Sequence, residues 1–195
     1  MGKILFAALM SCSLLPARPA LSLSQYTANF TSAGLANEST GTGFGTVDYD
    51  SSLHTLTLSG NFSGLLGTTT ASFIHAATAV PFTGYASVAT MRPSLVGFPL
   101  GVASGSYAGI LDLTQASSWN ASFVGIDTLA VAETRLATAM ADGKAFWNIL
   151  STFGTGGEIR GFLVAVPEPS SLALLGLGFV GITARVWSER RARKG

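Results

Sequence analysis

Between residues 25 and 166, apolar and polar positions alternate in short runs separated by turn-forming residues, the two-residue period of half-buried strands. Tyr26, Ala28 and Phe30 fall on one face; Val47 and Tyr49 end the next run, and Asp50-Ser51-Ser52 supplies a turn before Leu53. Beyond that turn His54, Leu56, Leu58, Gly60 and Phe62 share a phase opposite Thr55, Thr57 and Ser59. Ala71, Phe73 and His75 predict another strand, and residues 107–113 and 119–124 predict two more. The period changes once: Leu129, Ala132, Leu136 and Met140 recur at helical spacing, in a stretch started by Asp127 or Thr128 and stopped by Gly143. Residues 145–150 and 158–164 then predict a hairpin across the glycine-rich 153–157 segment. Residues 81–99 break the pattern and read as a long loop with one strand near 87–91. The expected fold class is all-β with one short helix.

Both ends depart from this pattern. Residues 1–24 carry a lone early Lys3, an apolar stretch over 4–15, then Pro16 and small polar residues, which is the layout of a secretory signal helix. Cleavage after Ser24 puts small Ser22 at the minus-three position. A buried N-terminal helix and a lipid anchor on Cys12 are the other readings of this segment, and Met10 fits a lipoprotein box badly. At the far end Val166, Pro167, Glu168 and Pro169 precede an apolar run over 172–184, followed by Arg185, Arg190, Arg191, Arg193 and Lys194. The two prolines forbid helix or ladder continuation and hold an extended strip that an enzyme can reach. The apolar run reads as a transmembrane helix, short for a permanent span, with its arginines on the cytoplasmic side. The expected organisation is therefore 1–24 signal, 25–165 β domain, 166–195 C-terminal tail of motif, apolar helix and basic cluster.

With 195 residues, 48% of them hydrophobic and 11% charged, the chain buries one ordinary core plus tails. Its net charge of +1 hides an asymmetry, because the basic residues cluster at the ends while 25–166 holds eight acids against four bases. A domain of that sign lacks the clustered basic surface that phosphate binding needs, which disfavours a nucleic-acid partner. The single cysteine, Cys12, excludes an internal disulfide. His54 and His75 are the only imidazoles, too few for a histidine-rich zinc or copper centre. No nucleophile elbow, phosphate loop or paired zinc-ligand motif occurs, so no catalytic residue, metal or cofactor is assigned and no enzyme is expected. His75, Asn148, Glu158 and Arg160 are the candidates for a structural or binding role. Glu158 and Arg160, two apart on an expected strand, project to one face and form a candidate clamp. Trp119, Trp147, Phe146, Tyr85 and Tyr107 can stack on sugar rings where exposed; core packing is the default for each.

The tail resembles the PEP-CTERM sorting signal of Gram-negative bacteria, in the order motif, apolar helix, basic cluster. The resemblance implies an exported protein that signal peptidase processes at one end. At the other it implies recognition by an exosortase-type membrane protease at Pro167-Glu168-Pro169. The chain would be held transiently at the inner membrane and then delivered to the cell surface or extracellular matrix. The segment 71–76, the run Gly143-Lys144-Ala145-Phe146-Trp147-Asn148-Ile149 and the stretch Gly156-Gly157-Glu158-Ile159-Arg160-Gly161-Phe162-Leu163 resemble a CHRD domain over about 26–163. That resemblance implies an immunoglobulin-like antiparallel β-sandwich without assigned enzymatic activity. Family members often have a His-x-His pair where Phe73 and His75 stand, and Asn-x-His-Thr where Asn148-Ile149-Leu150-Ser151 stands. Two imidazoles of any metal site in relatives are thus missing. The function expected is a non-enzymatic surface or matrix protein, with exopolysaccharide or biofilm as the candidate association. A membrane-anchored module facing the periplasm that binds protein or glycan, and a metal-dependent enzyme using His75, stand as alternatives.

Overall fold

A computed structural model describes residues 23–167. Two antiparallel sheets account for most of its regular secondary structure. Strands β1 (Leu23–Phe30), β2 (Thr42–Asp50), β3 (Thr55–Ser63), β5 (Gly105–Asp112) and β8 (Val164–Ala165) form one sheet in the order β5-β3-β2-β1-β8. Strands β4 (Thr69–His75), β6 (Phe146–Ser151) and β7 (Ile159–Phe162) form the other, in the order β4-β6-β7. Helix α1 is Ala121–Val124 and α2 is Leu129–Ala141.

The alternation read from the sequence decides which face is covered. Tyr26, Ala28, Phe30, Val47, Leu56, Leu58, Phe62, Tyr107 and Leu111 are buried from the five-stranded sheet, and Ile74, Trp147, Ile149 and Ile159 meet them from the other. Trp147 is the hub, edge-on to Phe30 at 5.2 Å and to Tyr107 at 6.1 Å. Gly45 admits it, because a Cβ there would meet the indole at 2.8 Å. Helix α2 starts at Thr128, whose side chain accepts from the Val131 amide, and packs Ala132, Leu136, Ala139 and Met140 into the same core.

The structure corrects the sequence reading at several points. Residues 119–124 are not a strand. Asn120 caps α1 by accepting from Ser122, Gly125 ends the helix at φ 65°, and Trp119 stacks on Phe123 four residues on at 5.9 Å. The run Trp119, Ala121, Phe123 satisfies a two-residue period, but the aromatic pair at four-residue spacing and the Asn cap prevail. A second helix therefore joins the expected one, and a 3₁₀ turn precedes it at Ala116–Ser118. The 87–91 segment makes isolated bridges, Val88 to His75 and Thr90 to Trp119, in place of a named strand. His54 precedes β3 with φ 54° and sits in the turn. The last expected strand divides at Leu163: β7 stays with β6, and β8 crosses to pair with β1. Among the described residues no helix is long and apolar enough to cross a membrane. Nearly all of the expected signal helix and the whole apolar run lie outside the described residues, with Glu168, Pro169, Arg185, Arg190, Arg191, Arg193 and Lys194.

Candidate functional site

Three of the four candidate residues meet on the outer face of the three-stranded sheet. Cross-strand pairing sets Phe73, Asn148 and Arg160 in one row and His75, Phe146 and Phe162 in the next. His75 lies flat on Phe146 at 4.7 Å, and its Nδ1 is 2.9 Å from the Ala86 carbonyl. A carbonyl only accepts, so Nδ1 carries the proton and Nε2 presents its lone pair to the Asn148 amide nitrogen 3.5 Å away. Burial, then the charges of Arg160 and Arg92, lower the His75 pKa against the opposing pull of the Ala86 hydrogen bond. The imidazole is held neutral.

Arg160 is 5% exposed and has no carboxylate partner among the described residues. Its guanidinium donates to the carbonyls of Gly84 (2.6 Å) and Gly34 (3.0 Å), and packs against the rings of Tyr85, Phe146 and Phe162 at 4.9–5.3 Å. Its Nε, like the Oδ1 of Asn148, is buried without a partner among the described residues. Asn148 donates to Gly156, which ties the 153–157 loop to the sheet. Together Arg160 and Asn148 anchor three surface segments, around residues 34, 84 and 156.

Glu158 does not join them, and the expected clamp with Arg160 does not form. Glu158 falls one residue short of β7, fully buried, and its carboxylate accepts from Ser39 Oγ (2.5 Å), Leu66 N (2.5 Å), Gly67 N (3.2 Å) and Ser151 Oγ. Burial raises its pKa, but the hydrogen bonds from Ser151, Ser39, Leu66 and Gly67 outweigh that and hold it below the ordinary glutamate value. The reason for the split is local. The two-residue rule for a shared face holds only within a regular strand, and the backbone turns between Gly157, at φ 135°, and Ile159.

The positions at which the chain departs from the His-bearing pattern are neighbours in space. Phe73 packs with Ala71, Val88 and Leu150 in a small apolar cluster apart from the main core, and Arg92 lies 5.5 Å above the Phe73 ring. Phe73 and Leu150, the two positions where the resemblance implies imidazoles, are both apolar members of this cluster. No group of three or more His, Cys, Asp or Glu converges among the described residues.

Sequence reasoning missed a second polar cluster. Glu133, 7% exposed on α2, accepts from Tyr49 Oη at 2.8 Å and contacts His54 Nδ1 at 2.9 Å. Burial and the Glu133 hydrogen bond and charge push the Tyr49 phenol up. These partners stand 79 and 84 residues from Glu133, so no local pattern signals them. Of the five aromatics considered for sugar stacking, Trp119, Trp147, Phe146 and Tyr107 are core; Tyr85 is 65% exposed.

Val166 and Pro167 open the sorting motif directly after β8, and the Val166 amide donates to the Gln25 carbonyl at 2.8 Å. A CHRD domain family matches residues 26–163, and a PEP-CTERM protein-sorting motif matches residues 165–191. Neither the curated proteins nor the solved structures contain a match to the chain.

Proposed function

Since the chain belongs to the CHRD domain family and carries a PEP-CTERM motif that marks an exosortase-sorted, exported protein, we propose that it is a non-enzymatic component of the cell surface or extracellular matrix. The observation that carries this reading is where the motif leaves the fold. Strands β1 and β8 run antiparallel as neighbours, with Tyr26 opposite Ala165, so the start of the domain and the start of the sorting motif share one end of the sheet. Leu23 and Val166, described residues that adjoin the two expected membrane-directed segments, lie at the same end of β1, and the first proline of the motif comes two residues after Ala165. A protease at the bilayer reaches that strip while the sandwich, which we read as immunoglobulin-like, hangs clear of the membrane. The tail holds the protein at the inner membrane until cleavage near Pro167-Glu168-Pro169, and the freed domain associates with exopolysaccharide or biofilm.

Mass spectrometry of the native protein from surface and matrix fractions tests this. The expected species starts near Gln25 and ends within 167–169. Surface material that keeps the 172–184 segment intact overturns the reading and favours a permanently anchored module. Cleavage after Ser24 also removes the Leu23–Asp50 and Ser24–Tyr49 pairs that open β1. An N-terminus before Leu23 on the mature protein would place the signal boundary upstream of the expected site.

A further inference from the structure

The turn around residues 34–37, Tyr85 and the 153–157 loop enclose a shallow groove of about 260 Å³. Its walls carry two exposed rings, Tyr85 at 65% and Phe153 at 49%. Tyr85 is fixed in place. Arg160 backs the ring at 4.9 Å and holds the preceding Gly84 carbonyl at 2.6 Å, while the phenol reaches the Gly34 carbonyl at 3.4 Å. Arg160 is itself buried against Phe146 and Phe162, so the platform rests on the sheet. The other wall is glycine-rich backbone, and Gly157 admits no side chain because a Cβ would collide with Asn148. The backbone N–H groups of Thr155 and Gly156 and the Thr155 hydroxyl have no partner among the described residues.

A pre-ordered aromatic face beside solvent-exposed donors suits a ligand with a flat apolar side and a rim of hydroxyls. An equatorially substituted hexopyranose has that shape. The groove falls below the roughly 300–1,000 Å³ of drug-sized pockets, so it holds one ring of a chain that continues into solvent. Charge selects among sugars: the surrounding domain is acidic, Glu38 is exposed beside the groove, and the Arg160 charge is covered by rings and carbonyls. An acidic sugar would meet no open cation among the described residues that line the groove. We propose that this groove binds a neutral hexopyranose unit of a polysaccharide, stacked on Tyr85 and flanked by Phe153. The inference rests on the matrix placement proposed above and supplies its contact.

The test is native electrophoresis of the protein purified from its producing cells, in gels containing hydroxyethylcellulose or alginate. Retardation by hydroxyethylcellulose and not by alginate is expected. Tyr85→Ala and Phe153→Ala should each weaken it about tenfold, the loss expected of a central aromatic anchor. Tyr85→Phe should keep it, and Phe44→Ala, an exposed ring on the other sheet, should leave it unchanged. Urea midpoints equal to wild type establish that the variants fold. No retardation by hydroxyethylcellulose, retardation by alginate as strong, or equal loss in Phe44→Ala overturns the groove. Protein in the matrix fraction without retardation rejects the groove alone; protein kept in the membrane with its tail intact rejects the placement, whatever the gels show.

Discussion

Glu158 takes a negative charge to a fully buried position with no cation in contact among the described residues, and four donors from three separate segments stabilise it there. An amide at this place would turn its NH2 group toward either the Leu66 or the Gly67 amide, which bond different carboxylate oxygens and can only donate. Glu158→Gln should therefore cost about 2–3 kcal/mol, the range for a buried polar group left unsatisfied. The urea midpoint should fall with little change in slope. Exposed Glu38→Gln should stay within about 0.5 kcal/mol of wild type, as surface changes do. An equal fall in both variants would refute the burial argument. Both Glu158 and Arg160 stood out in the sequence as candidates for a structural or binding role; in the structure Glu158 accepts four hydrogen bonds and Arg160 donates two. Their partnership was not legible, because Ser39 and Gly34 lie 119 and 126 residues away along the chain.

Among the elements, the strands and α2 follow the sequence pattern closely, since each period is imposed by its own backbone geometry. The exception, α1, is four residues long and depends on Asn120, which caps it and also donates to the Val88 carbonyl at 2.8 Å. Thr128 makes a single capping contact, to Val131 at 3.3 Å. Asn120→Ala should cost about 2 kcal/mol and Thr128→Ala about 1 kcal/mol, following the range for lost caps plus one tertiary bond. The reverse order in a chemical-denaturation series would show that α1 is held by the Trp119–Phe123 stack instead. Residues 81–99 form no full strand. That segment is pinned at scattered points to β4 and to Trp119, with Ala89 and Leu95 donating to Ile74 and Ser72.

For the molecule as a whole, acid is the condition that reaches the outer-face row and the carboxylate cradle together. His75 has its pKa lowered from 6.5 and Glu158 from 4.5, so in both cases the unfolded chain binds the proton more readily than the folded one. Stability is then present at neutral pH and is lost on acidification, first as pH falls below the unfolded histidine value and again below the unfolded glutamate value. The urea midpoint should decline between pH 7 and pH 5, and fall further below pH 4.5. His75→Phe should flatten the first limb and leave the second. A His75→Phe profile parallel to wild type down to pH 5 would assign that limb to another group.

The sequence by itself determined the faces of most of the strands, a helix begun by Asp127 or Thr128 and stopped by Gly143, the acidic character of the domain and the position of the sorting motif. All of these follow from two-residue or helical periods, or from contiguous motifs that need no distant partner. Only the tertiary structure decided that Glu158 and Arg160 part company, that β8 returns the motif to the side of β1, and which aromatic remains exposed. Such outcomes depend on which segments the two sheets bring into contact, and a loop far along the chain covers a side chain or leaves it open without changing any local pattern around it.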